Sequence, residues 1–135
     1  MVELRACVYL DSLQPQFAAV TGALSDGDIP LANMSALYVE LAPGTYVYPA
    51  LDVALKSASV RSGLQIIERE FGLLEVHAEN QSDVQRAREA VLRYLNLPEA
   101  NMPPPTITAA EVITSVTAYQ AQLINRSKAG SLLIP

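Results

Sequence analysis

The only histidine, His77, is the first residue to test for chemistry, because two carboxylates flank it at strand spacing. Glu75 and Glu79 lie two residues to either side, so on a strand all three side chains share one face. A metal site or a general base needs further partners, and no second histidine, no nearby cysteine and no glycine-rich loop supplies them. We predict a solvent-facing or hydrogen-bonded structural histidine, no catalytic residue, no metal and no cofactor.

Cys7 is the only cysteine, so neither an internal disulfide nor a thiolate metal site is expected. It lies among strand-forming residues, where a small apolar side chain is expected to join the core rather than act as a nucleophile. This cysteine usage fits a reducing cytoplasm. The first residues lack the basic and apolar regions of a signal peptide, and no apolar stretch is long enough to cross a membrane.

Two charged pairs occur in a chain of which only 17% of the residues are charged. Asp52 and Lys56 are four residues apart on a predicted helix, where an exposed ion pair contributes about 0.2–0.5 kcal/mol. Glu68 and Arg69 are adjacent at the end of an apolar strand, and neighbouring strand residues point to opposite faces. The spacing leaves two interpretations of Glu68 and Arg69 open: a solvated strand end, or a ring of both charges around a symmetry axis at a pore.

The composition predicts self-association. Half of the 135 residues are hydrophobic, and a single small domain cannot bury that much apolar surface by itself. The net charge of −5 argues against nucleic acid as a partner, because binding to phosphates needs clustered lysine and arginine.

Hydrophobic patterns in residues 1–97 predict four strands and three helices. The strands are expected at Val2–Leu10, Ser35–Leu41, Leu64–Arg69 and Leu73–Ala78, with a turn at Glu70–Gly72 between the last two. The helices are expected at Gln14–Gly22 with Gly22 as its C-cap, from a start between Thr45 and Pro49, and after a capping box of Ser82 and Gln85. Together they predict an α/β (α+β) fold, with helices packed on a mostly antiparallel sheet.

The same patterns predict which side chains form the core. The strand positions are Leu37, Val39, Leu41, Leu74, Val76 and Ala78, and the helix positions are Ala50, Leu51, Ala54, Leu55, Ala58, Val84, Ala87, Val91, Leu92 and Leu95. Glu75 and His77 alternate with the core positions of the last strand, so they are expected on a polar face.

The composition changes after Leu97. Residues 98–108 contain four prolines and are expected to form an extended linker. Beyond it, EVITSV (Glu111–Val116) aligns with ELRACV (Glu3–Val8), and YQAQLI (Tyr119–Ile124) aligns with LQPQFA (Leu13–Ala18). We therefore expect residues 109–135 to be the incomplete start of a second copy of the domain formed by residues 1–97.

Three segments in a fixed order resemble a known family. The segments are ELRACVYLDSLQPQFA (Glu3–Ala18), ALDVALKSASV (Ala50–Val60) and IIEREFGLLEVHAENQ (Ile66–Gln81). They are similar to bacterial microcompartment shell proteins, of the permuted tandem-domain type found in carboxysomes. VTAYQAQLINRSKAGSLL (Val116–Leu133) resembles the start of that family's second domain. The resemblance implies a circularly permuted shell domain, in which one strand and one helix precede the main part of the domain.

The resemblance also implies a function. Such proteins form trimers of two-domain chains, which are pseudohexagonal tiles of a shell inside the cytoplasm, with a gated pore through which metabolites pass. By this resemblance Glu68 and Arg69 form the gate, and Lys56, with Asp52 beside it, lies at the edge where tiles meet. The expected partners are further copies, other shell proteins and a separate chain that carries the rest of the second domain.

A different class of protein remains an alternative. A small ligand-binding or regulatory oligomer of ferredoxin-like type would also have an α/β unit with apolar surface for self-association. An enzyme ranks third, because no pair of titratable groups is placed for catalysis.

Overall fold

The computed structural model describes residues 1–97 and 106–126. The chain divides into two compact units, Met1–Met102 and Pro103–Pro135. The first unit contains β1 (Glu3–Leu10), α1 (Pro15–Leu24), β2 (Ser35–Ala42), α2 (Val47–Ser57), β3 (Arg61–Glu68), β4 (Phe71–Ala78) and α3 (Gln81–Leu95). A short 3-10 helix, Gly44–Tyr46, precedes α2, and the second unit contains α4 (Ala118–Arg126).

The four strands form one antiparallel sheet in the order β1-β2-β4-β3. Each predicted strand of residues 1–97 is present, which confirms the predicted α/β class with a mostly antiparallel sheet. The ends of the last two strands differ from the prediction, because β3 begins earlier, at Arg61, and β4 begins at Phe71. β1 and β3 are the edge strands.

The main core lies between one face of the sheet and the helices α2 and α3. Its buried side chains are Leu37, Val39, Leu41, Val47, Ala50, Ala54, Val60, Leu74, Val76, Ala78, Val84, Ala87, Val91 and Leu95. Cys7 packs against this cluster as a partly buried side chain. The predicted core face of α3 is confirmed, whereas Leu55 of α2 is 47% exposed and does not belong to the core.

Part of the opposite face of the sheet is covered as well. A second apolar cluster consists of Leu13, Ala18, Met34 and Ala36, with Leu10 and Tyr38 packed against it. Phe17 of α1 meets Tyr38 of β2 edge to face, with ring centroids 6.2 Å apart. The segment that contains α1 therefore shields the face that the alternation in β4 marks as polar.

Two predicted helix ends are wrong. α1 continues past Gly22 to Leu24, and Gly22 is buried where an added Cβ would lie 2.9 Å from Ile29 Cγ2, so close packing favours glycine there. At its start the side chain of Gln14 accepts hydrogen bonds from the amides of residues 16 and 17. α3 begins one residue before Ser82, with Asn80 at the N-cap, so the capping box predicted for Ser82 and Gln85 does not form.

The second unit is described over residues 106–126. Residues 106–117 form no strand there, so the expected strand at Glu111–Val116 is absent; a strand needs a neighbour to pair its amides and carbonyls. α4 does form where YQAQLI aligns with the start of α1. Within the predicted linker, residues 98–105 lie outside the described residues. No helix in the described part of the chain is long and apolar enough to cross a membrane.

Candidate functional site

The β3–β4 hairpin carries the predicted gate residues. Glu68 pairs with Phe71, so the turn consists of two residues, Arg69 and Glu70. Arg69 has φ 57°, and tight two-residue turns favour such left-handed conformations. The prediction of a turn at Glu70–Gly72 is wrong, because Phe71 and Gly72 already pair within the sheet.

The hairpin turn is held at its base by the 3-10 helix that precedes α2. The Gly44 amide donates a hydrogen bond to the Glu70 carbonyl, with a length of 2.7 Å. A Cβ on Gly72 would lie 2.4 Å from the Gly44 carbonyl oxygen, and a Cβ on Gly44 would lie 2.6 Å from the Phe71 carbonyl oxygen. Only glycine allows the two backbones to approach this closely, so Gly72 serves packing rather than the turn.

The charges at the hairpin turn are available to other molecules. Arg69 is exposed and Glu68 is partly exposed. Within residues 1–97 and 106–126, neither makes an ion pair within 4 Å. The chain thus places a carboxylate and a guanidinium at one tip without pairing them with each other.

The two residues predicted for a tile edge lie together on α2. Lys56 Nζ is 2.7 Å from Asp52 Oδ2, and the side chains are 75% and 58% exposed. An exposed pair of this kind contributes about 0.3–0.5 kcal/mol, so the fold does not depend on it. Lys56 precedes the start of β3 by five residues, whereas Arg69 follows its end. With about 3.3 Å per residue, the two ends of this eight-residue strand are roughly 23 Å apart.

Sequence reasoning missed a buried group of charged side chains on the second face of the sheet. Glu75 and His77 have no solvent exposure, which overturns the expectation of a solvent-facing polar face. The structural-histidine prediction holds in its hydrogen-bonded form: His77 Nδ1 is 2.7 Å from Glu75 Oε1, and Nε2 is 2.6 Å from Asp28 Oδ2. Asp28 belongs to the loop Ser25–Pro30, which lies between α1 and β2.

Arg61 links this group to solvent. Its Nε donates to Asp28 Oδ2 over 2.9 Å, and its terminal nitrogens donate to both oxygens of Glu79. The hydrogen bond from His77, with that from Arg61, lowers the pKa of Asp28, and the hydrogen bond from Arg61 lowers the pKa of Glu79. The one available signal in the sequence was the placement of a histidine between acidic residues in an apolar strand.

The buried group is not arranged for catalysis. Both ring nitrogens of His77 are occupied, and the ring has no exposed surface from which to take a proton from a substrate. Among residues 1–97 and 106–126, no three or more His, Cys, Asp or Glu side chains are grouped so that they could hold a metal ion. The ion pairs and hydrogen bonds of this group attach a loop to the strands β3 and β4, which is a structural role.

Proteins of known structure share the fold of this chain. The fused permuted hexameric shell protein MSM0275 from the RMM microcompartment is 41% identical, with a TM-score of 0.80, over 98% of this chain and 65% of that one. The double-ringed trimeric shell protein MSM0271 from the same microcompartment is 30% identical, with a TM-score of 0.78, over 100% of this chain and 65% of that one. These matches confirm the permuted shell fold that the sequence resemblance implied.

The sequence comparisons agree. Carboxysome shell protein CcmP of Synechococcus elongatus is 44% identical over 133 residues, which are 98% of this chain and 62% of that protein. Carboxysome shell protein CsoS1D of Hydrogenovibrio crunogenus is 42% identical over 136 residues, which are 100% of this chain and 66% of that protein. The chain thus spans under two thirds of the length of these relatives. The model of the CsoS1D N-terminal domain matches residues 4–101, and the chain belongs to this family of microcompartment shell proteins.

Proposed function

We propose that this chain is a structural component of a carboxysome-like microcompartment shell and assembles into hexagonal or pseudohexagonal tiles. The observation that carries the proposal is the fold match over 98% of the chain to a hexameric permuted shell protein, at 41% identity. The two carboxysome shell proteins above support the same location. The names of these relatives, which are shell proteins, support a structural role.

The surface of the first unit supports self-association. Many large apolar side chains are exposed; they include Phe17, Val20, Leu24, Ile29, Leu31, Tyr48, Ile66, Ile67 and Tyr94. Ile66 and Ile67 lie on the edge strand β3, beside the hairpin turn. Exposed apolar surface of this extent is characteristic of proteins that bind further copies or partners.

We propose that the two ends of β3 have different roles in a tile. The hairpin turn with Glu68 and Arg69 faces the symmetry axis and lines a pore for metabolites. Lys56 and Asp52, near the other end of β3, face the neighbouring tile. The ends of the strand are roughly 23 Å apart, which is far enough for one end to lie at the axis while the other lies near the rim.

Lys56 is suited to a contact between tiles because its charge sits on a long flexible stem. Two such side chains can pack their stems side by side and keep their ammonium groups in water or bonded to carbonyl groups. A carboxylate at this position would be too short to do so and would add repulsion to Asp52 one turn earlier.

We expect Lys56→Asp to abolish the formation of flat sheets while the separate oligomer keeps its mass. Electron microscopy of negatively stained particles and light scattering measure the two properties. Asp52→Asn is the matched control, because it breaks the ion pair with Lys56 but keeps the lysine, and it should still form sheets. Sheets of normal size from Lys56→Asp would contradict the edge assignment, and discrete oligomers without sheets from the unmodified chain would favour the ligand-binding alternative.

Glu68 and Arg69 are suited to a gate because each neutralises the other across a symmetry axis. A ring of carboxylates alone repels itself, and guanidinium groups from neighbouring subunits relieve the repulsion through charge-assisted, bidentate hydrogen bonds. The lack of an ion pair for either residue among the described residues leaves both free to pair between subunits.

We expect Glu68→Ala to increase the fraction of particles with an open pore, because the arginines lose their acceptors and repel one another. Classification of oligomers by electron cryomicroscopy measures this fraction. Glu3→Ala removes the same charge from β1 and should leave the fraction unchanged. An unaltered ratio of open to closed pores in Glu68→Ala would remove Glu68 from the gate.

We also propose that residues 109–135 begin a second shell domain. Relatives that are longer than this chain support the proposal, as does α4 at the position that aligns with the start of α1. Val112 is 90% exposed and aligns with Leu4, which packs against the main core of the first unit. Its burial on a second sheet would supply about 1.5–3 kcal/mol for a side chain of this size.

We expect Val112→Asp to weaken assembly and to make residues 109–126 sensitive to protease in the assembled state. Ile113→Asp is the matched control, because Ile113 aligns with the exposed Arg5 and should tolerate a charge. Limited proteolysis followed by mass spectrometry measures both variants. Equal protease sensitivity of the two variants, or a tail that is already cleaved in unmodified assemblies, would argue against docking of this segment.

A further inference from the structure

A series of contacts between charged side chains joins the loop Ser25–Pro30 to the β3–β4 hairpin. His77 stands between two carboxylates, 2.7 Å from Glu75 and 2.6 Å from Asp28. A neutral imidazole has one N–H and could donate to only one of them, so its other nitrogen would direct a lone pair at a carboxylate oxygen. Two contacts this short to ionised carboxylates therefore require the imidazolium form.

The loop is docked on the edge of β3 by its backbone. The Gly27 amide donates to the Gly63 carbonyl and the Asp28 amide donates to the Ser62 carbonyl, both over 3.0 Å. A Cβ on Gly27 would lie 2.4 Å from the Ser62 carbonyl oxygen, so the approach is as close as glycine permits. If the loop left the strand, these two backbone bonds would open together with the contact from Asp28 to His77 and the bond from Arg61 to Asp28.

The proton on His77 is important because it supplies the counter-charge for the buried carboxylate of Glu75. The register of β3 shifts between Ser62 and Leu64, and the Gly63 amide there donates to Glu75 Oε2 over 2.8 Å. The other oxygen of Glu75 faces His77, and the side chain has no contact with solvent. Loss of the imidazolium would leave a buried carboxylate without a counter-charge in direct contact, which is costly.

The remaining charges around His77 also favour its protonated form. Arg61 lies opposite His77 across the β3–β4 pairing and bonds to Asp28 and Glu79. Three carboxylates, those of Asp28, Glu75 and Glu79, thus face two cations, Arg61 and protonated His77. Deprotonation of His77 leaves the three carboxylates with the guanidinium of Arg61 alone. On the other side, Tyr38 of β2 lies opposite Glu75; burial, and to a smaller extent the charge of Glu75, raises the pKa of Tyr38, so its hydroxyl stays neutral.

Burial by itself lowers the pKa of His77, but the hydrogen bonds to Glu75 and Asp28 outweigh it, and the pKa is raised above its usual value. The stabilisation from the imidazolium is therefore complete below the unfolded value of about 6.5 and is lost as the pH rises through the folded pKa. Asp28 has a lowered pKa, so its contribution is lost only in acid. The attachment of the loop should weaken on the alkaline side.

We propose that Glu75, His77 and Asp28 form a latch that holds the loop Ser25–Pro30 on the N-terminal half of β3 and releases it when His77 loses its proton. The latch acts at the end of β3 opposite to the hairpin turn. Release exposes the backbone of Ser62 and Gly63, which the loop covers in the closed state. This inference does not depend on the shell function.

The test follows His77 and the loop in the full chain by NMR. The chain has one histidine, so its Cε1–H signal reports the titration without ambiguity. Hydrogen exchange of the Gly27 and Asp28 amides, corrected for the intrinsic dependence of exchange on pH, reports loop release. We expect the His77 midpoint above about 6.5. Protection of both amides should fall by up to about tenfold per pH unit between about 6.5 and that midpoint, and should level off above it.

Two variants and one control make the test decisive. Asp28→Asn lies in a partly exposed loop and should fold; it should lower the His77 midpoint and reduce protection of the two amides at neutral pH. Arg61→Gln removes the other partner of Asp28 and should leave a pH-dependent release. Glu3→Gln removes a remote carboxylate and should change neither readout. A His77 midpoint at or below the usual value, or protection of both amides that persists through the His77 transition, would overturn the latch.

Discussion

The burial of a carboxylate, Glu75, on the second face of the sheet is the constraint on which much of the first unit depends. A buried charge needs a counter-charge and hydrogen-bond donors, and here one amide and one imidazolium supply them. The imidazolium in turn needs Asp28, which holds the loop before β2 against the edge of β3. The charge on one residue of β4 is therefore linked, through His77 and Asp28, to the position of the chain between α1 and β2.

The strand β3 connects the features to which we assign function. Its first residues carry the docked loop and Arg61, and its last residue leads into the hairpin turn. The turn is fixed at its base by the Gly44 amide while the side chain at its tip stays exposed. A rigid base with exposed charges is what a pore lining requires, because groups that exchange partners must move while their backbone does not.

Much of the fold could be predicted because the spacing of apolar side chains along a strand or a helix is visible within a short stretch of sequence. The alternation of Leu37, Val39 and Leu41 and the helical spacing in α3 marked one core face without any knowledge of partners. Burial of the second face could not be predicted, since it depends on Asp28, 49 residues before His77. The turn at Arg69 was misplaced because Gly72 was read as a turn glycine, whereas it is needed where Gly44 packs on the hairpin. The places of Glu68, Arg69 and Lys56 in the fold could be predicted from the sequence, whereas the partners that we propose for these side chains belong to other molecules.

The proposed pore depends on the orientation of β3 in the assembled oligomer. Distances between spin labels at Glu70→Cys, and separately at Lys56→Cys, test it directly in a Cys7→Ala background, where the label is the only reactive thiol. In the Lys56→Cys variant, the loss of Lys56 should also keep the oligomers dispersed, so that only distances within one oligomer are measured at this position. With the hairpin turn at the axis, we expect a shorter distance between subunits at position 70 than at position 56. An equal or reversed order would place the hairpin turn away from the axis and contradict the proposed pore.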